Sequence, residues 1–208
     1  MPTATVDQAL ARARSALAMP TLYWLGEGGR AVAEAPGQGF DPRAALRELK
    51  VENPDKYAAY LAGLQRSGLD LDQLPRAACD CSGFVAWCLG VPRHPIAIAG
   101  QSDGWFYTDA ILADALGRQQ CFTLLAQAVV GALLVFPSVA GARPVGHVAI
   151  ISEAEAGRAT RIIHCAPRNF EREPPPGLPR NAIAETDCAL FDAQADTQVV
   201  RWKAFAAA

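Results

Sequence analysis

Residues 80–90 read DCSGFVAWCLG, and this stretch decides how the rest of the chain is interpreted. The run after Cys81 is compact and apolar and ends at Gly90, which is typical of a buried helix with a glycine terminator. Cys81 would then stand in the first turn, where the helix dipole and unpaired backbone N–H groups favour a thiolate and can receive an oxyanion. The stretch therefore predicts a helix over 82–90 with a candidate nucleophile at its start.

The chain contains three histidines, and one of them is expected to be the base that activates Cys81. His147 opens an apolar run, and His164 stands near the end of the next one, beyond a turn at 155–157. Two imidazoles at corresponding ends of paired strands can act as a base and its orienter. His94 lies between an arginine and a proline and is interpreted as a loop residue. We therefore expect a Cys81–His147–His164 catalytic group, with the Cys81 sulfur within hydrogen-bond reach of the His147 ring.

Three phrases occur in a fixed order, namely DCSGFV at 80–85, GHVAII at 146–151 and IIHCAP at 162–167. Together they resemble the NlpC family of cell-wall cysteine peptidases, which have a papain-like fold. In that family the cysteine follows an aspartate at a helix start, the base histidine begins a strand, and a third polar residue, often histidine, begins or ends the adjacent strand. The resemblance implies that the three phrases carry nucleophile, base and orienter in that order.

The resemblance also implies a substrate class and residues that contact the substrate. LYWLGEGG at 22–29 is similar to an upstream segment of the family, so Tyr23 corresponds to its active-site tyrosine. Asp80 and Ser82 flank the nucleophile and are further candidates for substrate binding, although Asp80 is also a helix cap by its position. Family members cleave peptidoglycan stem peptides, commonly between D-glutamate and a diamino acid, and the related CHAP enzymes include amidases. The expected substrate is therefore an amide bond of peptidoglycan or a muropeptide, with no cofactor and no metal.

Helical patterns precede strand patterns along the chain. This order predicts an α+β fold in which N-terminal helices pack on a C-terminal antiparallel sheet. We expect a single papain-like catalytic domain over 1–208 with a helical insertion at about 30–78. Further predicted helices lie at 4–18 (capped by Thr3 or Thr5), 43–49, 55–66 and 108–116 (with a Thr/Asp cap); predicted strands lie at 132–136, 147–152, 159–165 and 197–205; and a surface loop is predicted at 171–180.

Composition excludes some classes of protein. The chain is 51% hydrophobic and 19% charged with a formal net charge of −2, and no basic block indicates nucleic-acid binding. No segment has the continuous apolar length of a membrane span. No signal-peptide pattern opens the sequence, so the default location is the cytoplasm, with non-classical export to the cell wall as an alternative. Export machinery or a cognate inhibitor are then possible partners, and the six cysteines are expected to be free thiols.

Two other interpretations compete with the hydrolase. Cys79, Cys81, Cys88 and His94 lie close together in sequence and are zinc-ligand types, although their spacing fits structural zinc sites poorly. The second alternative is a papain-like binding module without activity. Labelling by iodoacetamide separates these interpretations, because an activated Cys81 reacts faster than the other five cysteines.

Overall fold

The structure is a computed structural model and describes residues 4–28, 36–66, 68–70, 74–93 and 105–205. His94 lies outside these residues. In chain order the elements are α1 (Val6–Ala16), β1 (Leu22–Tyr23), α2 (Pro42–Glu52), α3 (Pro54–Arg66), β2 (Ala78–Cys79), α4 (Cys81–Leu89), α5 (Thr108–Leu116), β3 (Phe122–Leu124), β4 (Leu133–Phe136), β5 (His147–Glu155), β6 (Arg158–Cys165), α6 (Pro167–Glu171), β7 (Ile183–Thr186), α7 (Ala189–Asp192) and β8 (Gln198–Trp202).

The main sheet has six strands in the order β3-β8-β4-β5-β6-β7, and each neighbouring pair is antiparallel. β1 and β2 form a separate parallel pair. The expected α+β class and antiparallel sheet are therefore confirmed, as are the four predicted strands. Two strands of this sheet, β3 and β7, were not predicted from the sequence. They have three and four residues, and so short a run shows little periodicity.

Both faces of the central strands are buried, which explains why these strands are continuous apolar runs. The front face carries Val135, Val148, Ile150, Ile163 and Val200 and packs against α1, α4 and α5. The back face carries Leu134, Phe136, Ala149, Ile151 and Ile162 and is covered by Phe191 of α7. Side chains alternate between these two faces along each strand, so neighbouring residues of β5 and β6 have different surroundings.

The helix starts show one confirmed cap and one correction. Thr5 caps α1, where its Oγ1 accepts from the Gln8 N–H at 3.1 Å and its own N–H donates to Gln8 Oε1 at 3.0 Å. The predicted Thr/Asp cap of α5 is wrong, because Tyr107 occupies the cap position and its side chain makes no capping hydrogen bond to the helix. The Asp109 carboxylate instead accepts from the backbone N–H of Ser138 at 2.8 Å and from its hydroxyl at 2.5 Å, which ties α5 to the chain after β4.

The two helices expected within 30–78 are present as α2 and α3. The Asp41 carboxylate caps α2 by accepting from two backbone N–H groups, and Pro42 follows at a position where proline is favoured. Trp24 joins this region to the rest of the molecule, since its ring lies 5.2 Å from that of Phe40 and 5.4 Å from that of Tyr60. The region thus packs beside the residue that follows β1.

The predicted loop at 171–180 begins at the last residue of the short helix α6 and contains no strand. None of the helices in the described ranges has the length and apolar character needed to cross a membrane.

Candidate active site

Cys81 is the first residue of α4, as predicted. Asp80 is the N-cap: its Oδ1 accepts from the Gly83 N–H at 2.8 Å and from the Ser82 hydroxyl at 2.9 Å. At the other end Gly90 adopts the left-handed conformation with φ of 71°, which favours glycine. Every residue of this helix is buried, so tertiary packing holds it in place. Cys81 keeps 5% of its surface exposed.

Cys81 lines a cleft of about 230 Å³ between the start of α4, the start of α5 and the segment before β5. All three residues expected to bind substrate, Tyr23, Asp80 and Ser82, also line this cleft. Tyr23 reaches it because β1 pairs with β2, which places Tyr23 beside Cys79. Further lining residues are Leu25, Arg93, Tyr107, Thr108, Asp109, Ser138, Pro144, Val145 and Gly146.

Arg93 was not identified from the sequence, yet it is central to this cleft. Its Nη2 forms an ion pair with Asp80 Oδ2 and donates to Ser82 Oγ at 3.2 Å, and its Nη1 donates to the backbone oxygen of Glu27. Asp80 Oδ2 also accepts from the Gly26 N–H at 2.9 Å. Both oxygens of the Asp80 carboxylate are thus occupied by protein donors, which gives Asp80 a structural role as cap and ion-pair partner.

The two histidines of β5 and β6 form a hydrogen-bonded pair. His147 Nε2 lies 2.8 Å from His164 Nδ1, with the ring planes at 85°. The His147 ring lies 6.0 Å from that of Phe136 and 5.6 Å from that of Phe191, which places it on the back face of the sheet. Both histidines are buried, with 8% and 3% of their surfaces exposed.

Two further polar residues, neither of which was identified from the sequence, lie on the far side of His164. Thr186 Oγ1 lies 3.2 Å from His164 Nε2, and Asn169 Nδ2 lies 3.4 Å from the same atom. Thr186 ends β7 and Asn169 belongs to α6, two elements that were not predicted. Recognising β7 as the partner of β6 would have placed Thr186 near His164, because Ala184 is the cross-strand partner of His164.

Burial sets the charge state of the thiol and of both imidazoles. It raises the pKa of Cys81 to about 12, with the Asp80 carboxylate adding to the rise and the backbone N–H groups of Val148 and Ser82 opposing it. Burial, with a smaller contribution from the neighbouring His164, lowers the pKa of His147 to about 3. Burial, with a smaller contribution from the charge of Arg172, also lowers the pKa of His164 to about 4. The expected lowering of the Cys81 pKa is therefore wrong for the free protein, in which thiol and imidazoles are neutral at pH 7.

The cleft and the histidine pair meet at the first residues of β5. On the front face of the sheet, the Val148 N–H interacts with the Cys81 sulfur and lowers its pKa. The ring of the preceding residue, His147, packs on the back face. No hydrogen bond joins the Cys81 thiol to the His147 ring in the part of the chain that the structure describes. The expected direct contact is thus not formed in the free protein. A neutral thiol and a neutral base lie on neighbouring elements instead.

None of the six cysteines, all of which lie in the described ranges, forms a disulfide, as expected. Cys165 points to the front face, opposite to His164, and its Sγ lies 3.5 Å from that of Cys79. Among the described residues, no group of three or more His, Cys, Asp or Glu side chains is arranged to hold a metal ion. The proposed zinc set includes His94, which lies outside those residues.

Tyr23 is the remaining titratable group beside the thiol. Burial raises its pKa above the ordinary value, and the neighbouring Cys81 and Asp80 add to the rise. Its phenol is therefore neutral and can donate or accept a hydrogen bond in the cleft.

Comparison of the chain with protein-family models, curated proteins and solved structures found no match.

Proposed function

We propose that this chain is a papain-like thiol hydrolase of amide bonds, with Cys81 as nucleophile, His147 as base and His164 as orienter. The observation that carries the proposal is the position of Cys81, which is the first residue of α4 and lines an open cleft beside the strand that begins with His147. The 2.8 Å contact between the two imidazoles supports the assignment of a base and its orienter.

The neutral state of both groups favours general-base catalysis over a preformed thiolate–imidazolium pair. This step requires the thiol and the His147 ring to come into contact, which they do not make in the free protein. As the substrate carbonyl enters the cleft, the thiol proton passes to the free ring nitrogen of His147 and the sulfur attacks the carbonyl carbon. Backbone N–H groups at the start of α4 stabilise the oxyanion. The protonated His147 then gives its proton to the leaving amine, and water hydrolyses the thioester to a carboxylic acid and the free thiol.

The favoured substrate is a peptidoglycan stem peptide or muropeptide, cleaved by endopeptidase or amidase action. The three motif phrases support this class. Tyr23 presents a hydroxyl group in the cleft for a peptide backbone, whereas the Ser82 hydroxyl is engaged by Asp80 and Arg93. An export apparatus that delivers the protein to the cell wall, or a cognate inhibitor that blocks the cleft, would be its partners.

The test is mass spectrometry of purified muropeptides after incubation with the protein. Wild type should release fragments that reveal the bond cleaved, and Cys81→Ala should release none while its thermal unfolding is unchanged. Cys188→Ala is the matched control, because Cys188 packs with the back-face residues and does not line the cleft. This variant should retain turnover. Equal product from wild type and Cys81→Ala would contradict the proposal.

A second candidate function is a binding module on the same scaffold without hydrolytic activity. The raised pKa of Cys81 and the missing thiol–imidazole hydrogen bond favour this alternative. It predicts that muropeptides bind without cleavage and that Cys81→Ala binds them as tightly as wild type. Calorimetric titration beside the mass spectrometry separates the two functions.

A further inference from the structure

The hydrogen bonds around His164 determine where its protons lie. Thr186 has one hydroxyl proton, and its Oγ1 is 2.9 Å from the backbone oxygen of Asp187, which can only accept. The hydroxyl proton is therefore committed to Asp187. The same Oγ1 lies 3.2 Å from His164 Nε2 and has lone pairs to offer it.

Asn169 supplies the second constraint. Its Nδ2 has two protons and lies 3.1 Å from the backbone oxygen of Ala182 and 3.3 Å from that of His164. Two carbonyl oxygens fix the orientation of the amide and use both of its protons. The 3.4 Å contact from Nδ2 to His164 Nε2 is then left without a proton from Asn169.

All of these contacts are satisfied if His164 carries its proton at Nε2 and donates it to Thr186 Oγ1. A neutral imidazole carries one proton, so His164 Nδ1 is an acceptor, and the atom it faces at 2.8 Å, His147 Nε2, is the donor. His147 Nδ1 therefore carries the lone pair. In the described part of the chain no donor occupies that atom.

We propose that Thr186 is a positioning residue that sets the protonation of the histidine pair and leaves Nδ1 of His147 as the basic nitrogen. Thr186 acts through His164 and does not touch substrate. Its catalytic consequence rests on the proposed function, because a base is needed only if Cys81 is a nucleophile. The protonation pattern itself is a property of the folded protein, and it is measured without any substrate.

The experiment is two-bond ¹H–¹⁵N correlation NMR of the full chain labelled with ¹⁵N-histidine, at pH 7. The chain has three histidines, so a His94→Gln variant assigns one set of signals and leaves the pair. Wild type should show both His147 and His164 protonated at Nε2. A His147 protonated at Nδ1 in the wild-type protein would overturn the proposal by itself.

Thr186→Val removes the acceptor with little change of shape, whereas Thr186→Ser keeps it. In Thr186→Val the preference of the pair for Nε2 protonation should fall about 5- to 10-fold, the value of one hydrogen bond, and a population of His147 protonated at Nδ1 should appear. Thr186→Ser should restore the wild-type pattern. Thr123→Val, which removes a hydroxyl from β3, is the matched control and should leave both rings unchanged.

Kinetics add a readout that a purely structural role would not move. Thr186→Val should lower kcat about 5-fold and leave KM unchanged, and Thr186→Ser should recover kcat. Unchanged ring protonation in a folded Thr186→Val variant would contradict the proposal. Correct protonation in wild type together with no thiol-dependent hydrolysis would refute the proposed function and leave the role of Thr186 in place.

Discussion

The site contains two buried polar groups that differ in how completely they are paired. On the front side, the Asp80 carboxylate accepts from Ser82, Gly83, Gly26 and Arg93, and both of its oxygens are occupied. On the back side, the histidine pair uses three of its four ring nitrogens, and Nδ1 of His147 has no donor among the described residues. A fully paired group fixes structure, whereas a group with a free lone pair can accept a proton. The difference separates residues that build the site from those proposed to do its chemistry.

The largest expected effect follows removal of the free base. His147→Ala should lower turnover on muropeptides by about 10²- to 10⁴-fold, the usual contribution of a general base. His164→Ala removes only orientation and should cost about 10- to 100-fold, with His164→Asn retaining more activity because its amide can still bond an imidazole. Steady-state kinetics measure these changes. A folded His164→Ala variant with wild-type activity would exclude His164 from the site.

The fully paired group should instead show itself in stability. Asp80→Ala leaves the Arg93 guanidinium buried without its carboxylate and uncaps α4, and it should lower the free energy of unfolding by about 3 to 5 kcal/mol. Urea denaturation measures the change. Asp41→Ala, which removes the exposed cap of α2, is the control and should have a smaller effect. Equal losses in the two variants would show that the Asp80–Arg93 pair adds nothing beyond capping.

The pH dependence of stability tests the burial of the base. The pKa of His147 is lowered from 6.5 to about 3, so the unfolded chain binds the proton more tightly than the folded one. The free energy of unfolding is therefore unaffected by this titration above pH 6.5. As the pH falls toward 3, protonation of His147 in the unfolded chain lowers it by up to about 1.4 kcal/mol per pH unit. The slope of unfolding free energy against pH between 4 and 6 should be smaller in His147→Gln than in wild type. Identical slopes would mean that His147 titrates normally when folded.

The smallest effect concerns thiol reactivity in the free protein. Cys121 is partly exposed, whereas Cys81 is buried. Burial raises the pKa of both thiols, that of Cys81 to about 12, so iodoacetamide should label the more accessible Cys121 a few-fold faster. This order reverses the one expected from the sequence. Peptide mass spectrometry over a time course measures both rates, with Cys121→Ser as the control for assignment. Faster labelling of Cys81 would show that a thiolate exists before substrate binds, and would restore the sequence-based expectation.

Much of the fold followed from local patterns. The helix at Cys81, its terminator Gly90 and the strands that begin with His147 and end near His164 were all predicted within a few residues, because caps and apolar runs act over short distances. The short elements β7 and α6 were not predicted, so Thr186 and Asn169, which they carry, were not recognised as site residues. Four or five residues carry too little periodicity to be recognised without their partners.

The sequence by itself determined the order of the elements, the α+β class and the position of Cys81 at a helix start, since backbone propensity and capping depend on neighbouring residues. Only the tertiary structure decided the state of the site. Arg93 meets Asp80 across 13 residues of chain and Thr186 meets His164 across 22, and neither contact is encoded in a local pattern. Burial then outweighed the helix dipole at Cys81, because desolvation depends on everything packed around the sulfur and not on the residues beside it in sequence.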